Sequence, residues 1–229
     1  MKFIFVFFAL FLFLNNSFSQ VSAQPYFISE KGSKLTICHY NLRSVPLSYT
    51  VYSVVDVEVR DSKEFVDLKI ENFDKYKRFL NSHKISAQIT DEGFLLDKTF
   101  IMDIDTLLKL NNQDYIVNGR DFLIPFHFNT GMSLISSWIE YLENDQTKYK
   151  VSEFARTIEN YETVSTKIGD FDAWVVLSKQ EINYGNTEMF TVSTYYSKGI
   201  GPIRINYYNS KLKLTKYSEI VAYEIPEKS

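Results

Sequence analysis

The run Leu47-Ser48-Tyr49-Thr50-Val51-Tyr52-Ser53-Val54-Val55-Asp56-Val57-Glu58-Val59-Arg60 changes side-chain character at almost every step, and that alternation decides the fold class. Leu47, Tyr49, Val51, Val55, Val57 and Val59 fall on one side of an extended chain, with Ser48, Thr50, Asp56, Glu58 and Arg60 on the other. A period of two marks a half-buried β-strand. Asp61-Ser62 suits a tight connection. Beyond it Val66, Leu68 and Ile70 oppose Phe65, Asp67, Lys69 and Glu71, completing a hairpin.

Outward from this hairpin the pattern continues with interruptions. Phe73, Tyr76, Phe79 and Leu80 recur at helical intervals, which predicts a short helix between Phe73 and Ser82 with Lys75, Lys77 and Arg78 facing water. Residues 85–89 and 94–104 read as a strand pair around Asp91-Glu92-Gly93, and 105–110 as a helical turn. Pro125 interrupts 122–128 and removes a ladder donor, so that segment belongs at an edge or in a loop. Gly131 opens a segment running through Trp138 to Leu142, and Asn144-Asp145-Gln146 marks a turn. Residues 149–168 alternate up to a hairpin signal at Gly169-Asp170. Strands at 171–182, 189–196, 203–208 and 212–225 follow, joined at Tyr184-Gly185-Asn186, Gly199-Ile200-Gly201-Pro202 and Asn209-Ser210, which is a meander. The fold class is therefore mainly β: a strongly curved antiparallel sheet or open β-barrel with one or two short helices.

Lys2, the uncharged apolar run from Phe3 to Leu14, and Asn15-Asn16-Ser17 have the order of a secretory signal peptide, too short to span a bilayer, which needs about 20 residues. Cleavage fits after Val21-Ser22-Ala23, with Ser17-Phe18-Ser19 as a second candidate. The expected organisation is a signal peptide over 1–23 and a single antiparallel β domain over 24–229, with two sub-halves meeting near 112–130 as the variant reading. The product is expected to be exported, periplasmic or extracellular, with no integral membrane span in the mature chain. Cys38 is the only cysteine, so no internal disulfide forms.

With 25 basic and 28 acidic side chains the formal charge is −3, and the basic surplus of a phosphate-driven nucleic-acid binder is missing. His39, His83 and His127 lie far apart in sequence, and Cys38 and His39 point to opposite faces of a strand. Asp103 with Asp105, and Asp170 with Asp172, lack the ligand number and central glycine of a calcium loop, and are assigned to turns and strand ends. Neither a metal nor any other cofactor is called for. Hydrolase, P-loop and zinc-protease motifs are absent. Gly199-Ile200-Gly201 is not a dinucleotide fingerprint, because Pro202 and a strand follow where a helix should begin. The chain is expected not to be an enzyme.

Aromatic placement offers a binding surface. If Phe171, Ala173, Val175 and Leu177 line the core, Trp174 takes the other face; Phe190, Val192 and Tyr196 point in while Met189 and Tyr195 point out; Ile203, Ile205 and Tyr207 oppose Arg204 and Tyr208. Trp174, Tyr195 and Tyr208 would then share one surface, suited to a sugar, an acyl chain or a partner protein. The alternative is that these rings pack under a helix or simply favour strands.

Three segments carry a family resemblance: Thr166-Lys167-Ile168-Gly169-Asp170-Phe171-Asp172-Ala173-Trp174; Tyr195-Tyr196-Ser197-Lys198-Gly199-Ile200-Gly201-Pro202-Ile203-Arg204; and Lys211-Leu212 on to Tyr217-Ser218-Glu219. They resemble the C-terminal half of the TapB-like exported bacterial proteins, a family of unknown function. Phe100-Ile101-Met102-Asp103 and Leu123-Ile124-Pro125 with Gly131 resemble its middle region, and Ser210 departs from a usual glycine. The resemblance implies an exported antiparallel β-protein with the curved-sheet shape of lipoprotein carriers, and transfers no catalytic residue. The expected role is non-enzymatic binding of a hydrophobic or glycan ligand, or of an envelope partner protein. A structural role in cell-surface assembly and hydrolysis of envelope polymers are the alternatives.

Overall fold

A computed structural model describes residues 24–102, 110 and 115–226. The signal-peptide segment, the 105–110 helical turn except Leu110, and the Asp103/Asp105 pair lie outside the described residues.

Fourteen strands form one antiparallel sheet: β1 (Lys34–Asn41), β2 (Pro46–Arg60), β3 (Lys63–Asp74), β4 (Phe79–Ile89), β5 (Gly93–Leu96), β6 (Ile116–Arg120), β7 (Phe122–Pro125), β8 (Ser133–Leu134), β9 (Ser137–Glu143), β10 (Gln146–Thr166), β11 (Gly169–Tyr184), β12 (Asn186–Ser197), β13 (Gly201–Tyr208) and β14 (Leu214–Glu224). The spatial order is β6-β9-β10-β11-β12-β13-β14-β1-β2-β3-β4-β5-β7, with β8 alongside β10. The chain passes from β6 at one end of this order to β7 at the other through Asp121 alone, so the sheet curls into a nearly closed barrel. Asp121 Oδ1 accepts from Lys98 N at 3.1 Å, fixing the corner against the 3-10 turn Lys98–Ile101.

The turns follow from residue chemistry. Asp61 and Ser62 take φ of 49° and 62°, and Asn144 and Asp145 take 50° and 60°, the double positive φ that matches the twist of a two-residue hairpin. Thr166 pairs with Gly169, so the β10–β11 turn is Lys167-Ile168, two residues before the expected Gly169-Asp170. Pro125 ends β7, whose strand ladder runs to β5 alone, the edge position that suits a residue without an N–H. Residues 94–104 do not continue as one strand: β5 stops at Leu96, and Asp97 Oδ1 accepts from Thr99 N at 2.9 Å to begin the 3-10 turn.

No helix forms between Phe73 and Ser82. Residues 75–78 are the tip of the β3–β4 hairpin, with Asp74 Oδ1 accepting from Tyr76 N (2.8 Å) and Arg78 N (2.9 Å) and Lys77 at φ 61°. The helical spacing arises from cross-strand pairing: Phe73 and Phe79 are register partners with ring centroids 5.9 Å apart.

On β3, Val66, Leu68 and Ile70 are buried while Asp67, Lys69 and Glu71 lie on the opposite face. Charged side chains outside and apolar ones inside reverse the polarity of a lipid-embedded barrel. Among the described residues no helix is long and apolar enough to cross a membrane. At the end of the barrel where β2 meets β3, the segment 24–33 packs inward: Phe27 is fully buried against Phe94, Tyr52 and Phe100, and Gly199 N donates to Pro25 O at 2.8 Å.

β10 and β11 are long enough to project past their neighbours and bend onto the outer face. Arg204 Nη2 donates to Ser165 O at 2.7 Å and pairs with Glu219, Lys167 N donates to Glu219 Oε1 at 3.2 Å, and the Lys167 ammonium stands 4.1 Å above the Tyr40 ring. This flap makes a second apolar layer over β1 and β14, where Cys38 is fully buried.

Candidate functional site

Where β2 was expected to be packed, its polar side faces a space. Ser48, Thr50 and Tyr52 line a cavity of about 530 Å³ together with residues of β1, β3, β4, β10–β14 and the 3-10 turn. That volume falls within the usual range for small-molecule sites, about 300–1,000 Å³. Between Ser48 and Val54 the polar side of β2 is therefore the inner one; Val55 and Val59 are exposed, while Val57, past the bulge between Val54 and Asp56, packs against the core. Leu47, Asp74, Leu80 and Lys216 stand on the side nearest the hairpin tips 42–45, 75–78 and 209–213, which is the mouth; the 24–33 segment packs at the far end.

A belt of neutral hydrogen-bonding groups runs across five adjacent strands of the wall. Asn72 Nδ2 donates to Asn81 Oδ1 at 2.7 Å, Asn72 faces Thr50 in register, His39 Nε2 lies 2.9 Å from Thr50 Oγ1, and His39 Nδ1 lies 2.8 Å from Ser218 Oγ. Burial, aided by the Lys216 charge, lowers the His39 pKa to about 4, so the ring is neutral near pH 7. Asn72 is fully buried and its Oδ1 has no partner, a cost of about 1–3 kcal/mol for a lone buried acceptor. Its amide oxygen can accept from an incoming donor.

Ser218 beside His39 has the spacing of a hydroxyl and its base. The other ring nitrogen, however, meets the Thr50 hydroxyl where an orienting carboxylate would stabilise an imidazolium, and a pKa near 4 makes a weak proton acceptor. The arrangement holds and orients neutral polar groups better than it activates a nucleophile.

Deeper in the wall, a β-bulge between Phe154 and Thr157, with Ala155 at φ 49°, places Arg156 in the interior. Its guanidinium donates to Ile135 O (2.9 Å) and Leu123 O (3.1 Å), lies 3.9 Å from the Phe122 centroid, and has Nε 3.5 Å from Glu153 Oε1. The bond to Leu123 crosses from β10 to β7, whose edges share no ladder, so Arg156 staples the barrel shut. Burial raises the Glu153 pKa, with Arg156 and Ser178 opposing the shift.

The three expected binding aromatics do not share a surface. Trp174 is the register partner of Tyr196, on the interior face, and packs against Phe128 (6.3 Å) and Tyr161 (5.1 Å). Tyr195 pairs with Val175 and Arg204, and Tyr208 with Thr191, which puts these two tyrosines together on the outer face. The alternation of β11 was misread because both its faces are covered: Ala173 and Val175 are buried on the outer side, next to the flap, and Val176 and Ser178 inside. His39 carried a recognisable signal, a histidine amid alternating strand residues, but nothing in the sequence pairs it with Ser218, 179 positions away.

The DUF3108-like family model matches residues 30–220. The chain belongs to the DUF3108-like family. An inferred exported protein of Bacteroides fragilis with a YmcC-like fold superposes with a TM-score of 0.74 at 22% identity, covering 88% of this chain and all of that one. An inferred lipoprotein of Parabacteroides distasonis gives 0.71 at 17% identity, covering 88% of this chain and 99% of that one. These likenesses show the fold of this DUF3108-like chain. A stretch of 134 residues is 25% identical to Probable polyketide synthase 10 of Dictyostelium discoideum, spanning 58% of this chain and 5% of that protein. The matches support the DUF3108-like family and the YmcC-like fold; the TapB-like name is not among what they show.

Proposed function

We propose that this DUF3108-like chain is an exported, non-catalytic binding protein of the cell envelope, and that its barrel cavity takes an amphiphile with an apolar chain and an uncharged hydrogen-bonding group. The observation carrying this reading is the belt Asn72–Thr50–His39–Ser218 on the wall of a cavity whose apolar lining includes Ile37, Ile70, Phe100, Ile182 and Ile205, with Asp74 and Lys216 towards the mouth and Glu153 and Gln180 also on the wall. Apolar walls bury a chain, while a few placed neutral donors and acceptors fix its polar end. An uncharged head suits the belt, because His39 is held neutral and Glu153 is pushed toward neutrality, while the charges of Asp74 and Lys216 stand nearer the mouth. Export is supported by the N-terminal apolar run and by the description of the two structural neighbours as exported protein and lipoprotein.

Titration with the polyene fatty alcohol or monoglyceride analogue of parinaric acid tests it. Saturable fluorescence enhancement is expected, lost in Gln180→Trp, which fills the cavity from β11. Equal enhancement in both proteins, with circular dichroism unchanged, would refute binding in the cavity.

A further inference from the structure

The two ends of the barrel differ in chemistry. At the mouth, three hairpin tips that are neighbours in the sheet order, 42–45, 75–78 and 209–213, carry Arg43, Lys75, Lys77, Arg78, Lys211 and Lys213, and the one acid beside them, Asp74, is already paired with Arg78. Each tip also exposes a large apolar side chain: Leu42 is 58% exposed, Tyr76 68% and Leu212 71%, with Val45, Phe79 and Leu80 exposed just behind them. The tips at the opposite end include Asp61-Ser62 and Asp91-Glu92. These three neighbouring tips thus gather six cations with one acid, whereas Asp61, Asp91 and Glu92 at the opposite end stand with Arg60, Lys63 and Lys198.

Local geometry makes this arrangement specific. Lys75 and Arg78 flank the Tyr76 ring at 5.0 and 5.3 Å, an amphipathic ring with cations beside it. Leu212 occupies the apex of its turn at φ 55°, a conformation that favours glycine or asparagine, so a leucine there is exposed at a backbone cost. Tyr217 Oη donates to Ser44 Oγ at 2.9 Å, tying the 42–45 tip to the start of β14. Lys77 of the 75–78 tip lies 5.6 Å from the Tyr49 ring on β2.

We infer that this rim docks on an anionic lipid surface, with Leu42, Tyr76 and Leu212 entering the interfacial region and the five cations outside the Asp74–Arg78 pair meeting lipid phosphates. Charge complementarity selects the occupant: neutral membranes offer the apolar tips too little area alone, and basic or mixed partners leave the cations unmatched. Docking in this pose sets the cavity mouth against the membrane, so an apolar chain passes between bilayer and barrel without crossing water. The docking surface stands on the rim chemistry and does not depend on what the cavity holds.

Co-sedimentation of the chain from Gln24 onward, which carries the whole described sheet, reads it directly. Binding is expected to vesicles with roughly one-third phosphatidylglycerol and not to pure phosphatidylcholine, weakening about fivefold for each of Lys75, Lys77, Lys211 and Lys213 changed to Gln. Leu42→Ser with Leu212→Ser should weaken it at least about tenfold at constant charge. Since all these side chains are exposed, circular dichroism should match the parent. Equal sedimentation with both vesicle types, no binding to either, or rim variants that bind like the parent would overturn the inference. Gln180→Trp is expected to dock normally, which separates failure of docking from failure of cavity binding.

Discussion

His39 on β1 and Ser218 on β14 meet inside the barrel, Nδ1 to Oγ, at 2.8 Å, although 179 residues of chain separate them. The contact exists because β14 pairs with β1, so that the sheet brings the first and last described strands together. The hydrogen-bonded belt is therefore a product of topology, and its electrostatics can be measured.

His39 titrates near 4 when folded, against an ordinary value of about 6.5 when unfolded. A lowered folded pKa means that the unfolded chain takes up the proton first. The stabilising contribution is complete above about pH 6.5 and drains away as pH falls toward 4, by up to a few kcal/mol. His83 is shifted the same way by burial, and the raised Glu153 pKa opposes both. Urea midpoints measured across this window should fall with pH in the parent and fall less steeply in His39→Gln.

Arg156→Ala should be severely destabilising, by about 3–5 kcal/mol, because it strands buried Glu153 and removes the donors to Leu123 O and Ile135 O. Adding Glu153→Gln should recover part of the loss. Chemical denaturation of the single and double variants checks this, and a mild single-variant effect would show that the seam closes without its staple.

Trp174→Ala is expected to behave as a core truncation, losing about 3 kcal/mol, because the indole packs with Phe128 and Tyr161. Tyr208→Ala, on the outer face, should cost well under half as much. Thermal melts of the two variants compare them directly.

Gly93→Ala tests close approach at the edge. A methyl there would lie 2.3 Å from Ile124 O and 2.7 Å from Pro125 Cα, so the β5–β7 pairing must shift. A loss of roughly 2–3 kcal/mol is expected in denaturant titration.

The strands were legible because alternation needs only one dimension of the chain: Leu47 to Arg60, Val66 to Ile70, and the meander from β11 to β14 all fold as their periods indicate. Which face turns inward was not legible on β2 or β11. Thr50 and Ser48 look like solvent-facing residues until a cavity is there to receive them, and Ala173 and Val175 look like barrel core until the flap covers them from outside. The spacing of Phe73, Tyr76, Phe79 and Leu80 misled because Phe73 and Phe79 meet across a hairpin, not along a helix face. The cavity itself was beyond reach, because its polar belt is assembled from side chains on β1, β2, β3, β4 and β14.

Native mass spectrometry of the protein purified from the cell envelope tests the cavity reading most directly. A stoichiometric amphiphile adduct on the parent that is absent from folded Gln180→Trp is the expected result. A parent that flies only as bare chain, or an adduct of equal occupancy on both proteins, would contradict it.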